Sequence, residues 1–197
     1  MSFLIAHSSK ILVAPLNWGL GHATRCVPIV RALLAEDKEV VLAGEGFVLE
    51  FLKKEFPHLQ TIEFKGISIK YSSANSQVWA ILRQIPKIFF AIIKEHFELK
   101  KIIETHNIKC VISDNRFGLW NKKIYTIYIT HQILIKLPEK FSWLEKITYH
   151  IHNQYIKKYN ECWIPDFADE NNLSGDLSHK YPPPKNAKFI GILSRFS

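Results

Sequence analysis

Three short polar groups each follow an apolar run: Asn17-Trp18-Gly19-Leu20-Gly21-His22, Asp114-Asn115-Arg116 and Thr130-His131-Gln132. Their residue types suit the activation of a hydroxyl group. An imidazole titrates near neutrality and can take a proton from an attacking oxygen. A carboxylate beside it orients the ring and stabilises the imidazolium that forms. A glycine-rich turn that opens a helix lets backbone N–H groups approach a phosphate or a developing negative charge. On this reading His22 is the candidate base and Asp114 its carboxylate. Asn17, Gly19 and Gly21 shape the anion-holding turn. Asn115, Arg116, His131 and Gln132 hold the acceptor or a phosphate. Each residue also has a structural reading. His22 can be a histidine satisfied at a helix start, Asp114 a helix cap, and Arg116 a solvated surface charge.

The elements around these groups decide whether they meet. Ile11 to Ala14 reads as a buried strand, Glu39 to Gly44 as a second, and Lys109 to Ser113, Ile124 to Ile129, Glu161 to Ile164 and Phe189 to Leu193 as later ones. Thr61 to Phe64 and Ile67 to Tyr71 are short strand candidates. Between them, apolar residues recur at helical spacing, with Cys26, Val27, Val30, Leu33 and Leu34 on the first helix. Pro28 sets the start of that helix no earlier than about Thr24, because its ring clashes with the carbonyl four residues back. Phe47 to Phe56, Asn75 to His106 (divided or kinked at Pro86) and Phe141 to Tyr159 are the further helices, and Asp169 to Lys185 is a loop. Strands alternating with helices predict a Rossmann-like α/β domain, a parallel sheet flanked by helices. In such a sheet every strand ends on the same edge, so the three polar groups converge there.

Composition narrows the function classes. The 197 residues are 47% hydrophobic and 22% charged, enough for one domain with a core, and the net charge is +8. That charge is compatible with phosphate ligands or an anionic membrane surface. The lysines are dispersed and no nucleic-acid-binding module is visible, so nucleic acid is not expected as a partner. Cys26, Cys110 and Cys162 are widely spaced, with no C-x-x-C pair; Cys26 and Cys110 read as reduced core residues, which points to a cytoplasmic protein. No signal peptide and no membrane span are evident. His150 and His152 stand two apart on a helix and make a poor metal pair, so no metal is expected. Gly19-Leu20-Gly21 begins a dinucleotide fingerprint, with Glu45 placed for a ribose, but Thr24 occupies the third glycine position. The stretch 78–94 mixes Trp79, Ile88, Phe89, Phe90 and Ile93 with Arg83, Lys87 and Lys94. It is either a buried crossover helix or a basic amphipathic face for an anionic membrane.

The Asn17-to-His22 loop resembles the first glycine-rich loop of GT-B glycosyltransferases, and within them the family that includes the peptidoglycan enzyme MurG. Val111 to Gly118, Ile129 to Gln132, Cys162 to Asp166 and Phe189 to Leu193 are similar to successive strand-end segments of that family, so the resemblance covers nearly the whole chain. It implies that residues 1–197 are one acceptor-binding domain, the N-terminal half of a GT-B fold. The resemblance also implies that the C-terminal domain that binds the nucleotide sugar is absent from this chain. It further implies metal-independent, inverting transfer to a hydroxyl acceptor with no cofactor beyond the sugar donor, and an acceptor that is lipid-linked or met at the inner face of the cell membrane. Three alternatives stand beside it: half of a sugar-nucleotide epimerase, a non-catalytic partner module, and a dinucleotide-binding domain.

Overall fold

The computed structural model describes residues 9–66, 77–137 and 139–196, with the backbone alone over 77–85. Seven parallel strands form one sheet in the order β3-β2-β1-β4-β5-β6-β7. They are β1 (Lys10–Pro15), β2 (Glu39–Gly44), β3 (Gln60–Glu63), β4 (Cys110–Asp114), β5 (Tyr125–Ile129), β6 (Glu161–Ile164) and β7 (Ala187–Phe189). The order reverses between β1 and β4, and at such a switch point the loops diverge and leave a crevice. The helices are α1 (Leu20–Ala35), α2 (Gly46–Glu55), α3 (Gln77–His106), α4 (Glu145–Ile156) and the short α5 (Asp176–His179), with a 3-10 turn over Glu139–Leu144.

Strand side chains alternate between two cores. Ile11, Val13, Val40, Leu42, Cys110 and Ile112 face α1 and α2. Leu12, Ala14, Val41, Val111, Tyr128 and Cys162 face α3 and α4, where Leu99, Ile102, Tyr149 and Ile156 meet them. Burial on both faces explains why these strands read as continuous apolar runs. The same alternation sends Asp114, two residues beyond Ile112, towards α1.

Several boundaries differ from the sequence reading, and the expected loop Asp169 to Lys185 contains the short helix α5. Helix α1 begins at Leu20, not Thr24, and runs through Pro28. Its face of Ala23, Cys26, Val27, Ile29, Val30 and Leu33 is buried against the sheet, and that packing outweighs the backbone bond Pro28 cannot make. Helix α3 likewise continues through Pro86. The expected helix over 141–159 is a 3-10 turn followed by the shorter α4. The last strand ends at Phe189, short of Leu193, because Gly191 adopts φ +76° and its N–H bonds the Asp166 carbonyl. The strand candidate Ile67 to Tyr71 lies outside the described residues. All three cysteines are free and buried.

Candidate functional site

The crevice is built from the start of α1 and the ends of β4, β5 and β6. Gly19 precedes α1 at φ +117°, a backbone region that side chains other than glycine's rarely enter. No side chain caps the helix there. Three residues into the helix comes His22, and one turn later Arg25 and Cys26 on the same face. Pro15 pairs with Asp114 across the β1–β4 ladder, so the carboxylate enters directly beneath this face.

Asp114 is fully buried and holds the site together. Its Oδ1 lies 3.1 Å from His22 Nδ1 and accepts from Arg25 Nη2 at 2.5 Å. Its Oδ2 accepts from Arg25 Nε at 2.9 Å and is approached by the Cys26 thiol at 3.9 Å. Burial alone would raise the pKa of Asp114. The charge of Arg25 and the bond to His22 outweigh burial and hold it below the ordinary carboxylate value. Burial likewise opposes the charge of Arg25, and Asp114 more than offsets it. Cys26 is pushed well up, by burial first and Asp114 second, so it stays a thiol. Arg25 extends the network further, with Nη1 2.8 Å from His131 Nδ1. His131 is held below the ordinary histidine value by burial and then by Arg25.

Beside these residues lies a cleft of about 250 Å³ lined by Gly21, Thr24, Arg25, His131, Asp166 and Ser174, among others. Asp166 is occupied: it accepts from the Ser174 hydroxyl and from the backbone N–H groups of Phe167, Leu173 and Ser174. A larger cavity, about 590 Å³, opens beside Trp120 and the residues leading into β4 and β5, at the opposite strand edge from Asp114.

The structure therefore brings His22, Asp114 and His131 together, with Gly21 lining the adjoining cleft and Gly19 just before the helix. The other expected residues have different surroundings. Arg116 is a correction: its side chain is buried and turned into the fold. It donates to Glu95 at 2.8 Å and to the carbonyls of Phe64 and Lys65, so it is neither a surface charge nor part of the crevice network. Asn115 adopts φ +58°, and its Oδ1 accepts from Tyr128 at 2.9 Å, which shapes the loop after β4. The Asn17 side chain packs on Gly46, where an added Cβ would stand 3.0 Å from its Nδ2. Gln132 is partly buried, its backbone N–H bonded to the Thr130 hydroxyl. Glu45 accepts from the Gly66 N–H at 2.8 Å. His152 is buried, its Nδ1 near the Ile133 carbonyl, and burial pushes it down to about 4. Among the described residues, no group of three His, Cys, Asp or Glu side chains is arranged to hold a metal ion. Arg25 is the residue that sequence reasoning missed. The available signal was its position three residues after His22.

No protein-family model matches the sequence, and no curated protein matches it. Solved structures do match. MurG from Acinetobacter baumannii superposes with a TM-score of 0.53 at 9% identity, over 93% of this chain and 45% of that one. LpCGTa, solved in complex with UDP, gives 0.56 at 11% identity over 94% and 54%. The kitacinnamycin glycosyltransferase gives 0.55 at 13% identity over 94% and 52%. The chain thus spans about half the length of these matches. It has the fold of an N-terminal GT-B glycosyltransferase domain.

Proposed function

We propose that this chain is the acceptor-side half of a glycosyltransferase that moves a sugar from a nucleotide sugar to a hydroxyl. The acceptor oxygen attacks the anomeric carbon and gives its proton to His22 Nε2. The bond from that carbon to the phosphate breaks, and the nucleotide leaves with the electron pair, inverting the centre. Asp114 holds His22 by Nδ1 and stabilises the imidazolium as it forms. One observation carries this reading: a wholly buried, ionised carboxylate lies 3.1 Å from the ring nitrogen of a histidine at the crevice. A neighbour solved with UDP supports a nucleotide-sugar donor, which a second domain would bind. In a protein carrying both halves, His22→Ala lowers kcat about 100- to 10,000-fold with little change in stability. Unchanged turnover removes His22 from the role. Conversion of the sugar nucleotide with no acceptor present replaces transfer by epimerisation.

A second observation favours an acceptor met at a membrane. Helix α3 exposes Phe89, Phe90, Ile93 and Phe97 as one stripe, with exposed Lys87 and Lys94 beside it. On the same side of the sheet Trp143, Ile147 and Ile151 are exposed, with Lys140 and Lys146. No helix among the described residues is long and apolar enough to cross a membrane. Apolar side chains ringed by lysines suit shallow insertion among anionic headgroups. The protein should sediment with phosphatidylglycerol vesicles and not with phosphatidylcholine vesicles, and Phe90→Ser with Phe97→Ser should release it. Equal binding of wild type and variant to both vesicles sinks the idea.

A further inference from the structure

The contacts of Arg25 and Asp114 set where protons sit on two histidines. An arginine N–H can only donate. Nε and Nη2 fork onto the Asp114 carboxylate, at 2.9 and 2.5 Å, and Nη1 meets His131 Nδ1 at 2.8 Å. His131 must offer its Nδ1 lone pair to that donor, so the neutral ring carries its proton on Nε2. His22 is the reverse case. Its Nδ1 lies 3.1 Å from Asp114 Oδ1, and an ionised carboxylate only accepts, so Nδ1 carries the proton and Nε2 keeps its lone pair. His22 Nδ1 also lies 2.9 Å from Arg25 Nη2. Nη2 carries two hydrogens, so this contact taken alone would let Nδ1 accept. A lone pair on Nδ1 would then face the Oδ1 lone pairs at 3.1 Å, whereas Nδ1–H makes a charge-assisted bond to the carboxylate, and that bond sets the tautomer.

We propose that Arg25 is a positioning residue that holds His131 as an Nε2–H donor while Asp114 holds His22 as an Nε2 acceptor, so that one site presents a base and a hydrogen-bond donor in fixed, opposite tautomers. Its part in turnover rests on the glycosyl-transfer reading above; the proton arrangement itself does not. A hydroxyl substrate has both a proton to lose and lone pairs to be held, and this pair meets both needs. Protonating His131 at Nδ1 requires breaking the Arg25 bond. The charged or titratable groups that face the ring are Arg25 and His22 from α1, Asp114 at the end of β4 and Asp166 after β6.

Histidine tautomers are read directly by long-range proton–nitrogen correlation on this chain labelled with 15N-histidine, without substrate. The expected pattern is Nδ1–H on His22 and Nε2–H on His131. Arg25→Lys keeps a charge for Asp114 but cannot also reach His131. In that variant the titration midpoint of His131 rises by about one pH unit, the worth of one hydrogen bond, while the His22 tautomer persists. A role for Arg25 in folding alone leaves that midpoint where it was. The proposal is overturned if both rings share a tautomer in the wild type, or if the midpoint does not move in Arg25→Lys. Should the variant fail to fold, the wild-type pattern decides. A protein with this pattern and no transferase activity would refute the reaction and leave the tautomers standing.

Discussion

Two arginine–carboxylate pairs stand near the β1–β4 switch point and are put to opposite uses. Arg116 and Glu95 are both buried, 2.8 Å apart. The other contacts of the Arg116 guanidinium are backbone carbonyls and the face of Phe64, its central carbon 4.0 Å from the ring centre. Glu95 adds the Gly118 N–H at 3.2 Å. This pair fastens α3, the segment after β3 and the loop after β4 to one another. Gly118 is small because it must be: an added Cβ would lie 2.6 Å from the Ile92 carbonyl. Arg25 instead forks onto Asp114 with two bonds where Arg116 gives Glu95 one, and the further partners of this pair are two histidines. A buried ion pair becomes a site when its spare contacts are titratable and open on a cleft. With backbone acceptors it remains a fastening.

The largest expected effect tests the fastening. Glu95→Ala leaves the Arg116 guanidinium buried with no counter-charge. Loss of one partner of such a pair costs about 3–5 kcal/mol, read as a lower urea midpoint at unchanged slope. A cost below about 1 kcal/mol would break the comparison, since Arg116 would then be free to find water.

The same contrast explains which parts of the site were legible in the sequence. Parallel strands buried on both faces are continuous apolar runs, so Ile11 to Ala14 and Glu161 to Ile164 were readable. Asp114 followed from its place at the end of such a run. Arg25 was hidden by a specific error. Pro28 argued for a helix starting at Thr24, which left His22 in a loop and removed the one-turn relation between His22 and Arg25. Packing of the α1 apolar face overrode the proline, and local sequence carries no measure of that packing. Arg116 failed for a different reason. Its partner lies 21 residues earlier on α3, and nothing between Glu95 and Arg116 signals that the two will be pressed together away from the crevice. The shortening of β7 turned on Gly191, a residue that the strand pattern had absorbed.

The smallest effect is also the sharpest, because the two pairs differ in sign. Asp114 collects donors from Arg25 and His22, and its folded pKa lies below its ordinary value of 3.8. Its contribution to stability is present above that value and is lost as the pH falls through the folded pKa. For Glu95 burial is the largest influence and raises the pKa above 4.5; Arg116 and the Gly118 N–H oppose it, and Glu98 adds to it. The stability it contributes is fully present below 4.5 and is lost as the pH rises through the folded value. Urea midpoints measured across this range therefore separate the two. Asp114→Asn flattens the acid limb below about pH 4, whereas Glu95→Gln flattens the decline above about pH 4.5, each by less than one proton per molecule. Slopes that change in the same direction in both variants would mean that the two carboxylates are alike, and that the histidines alone distinguish the site from the fastening.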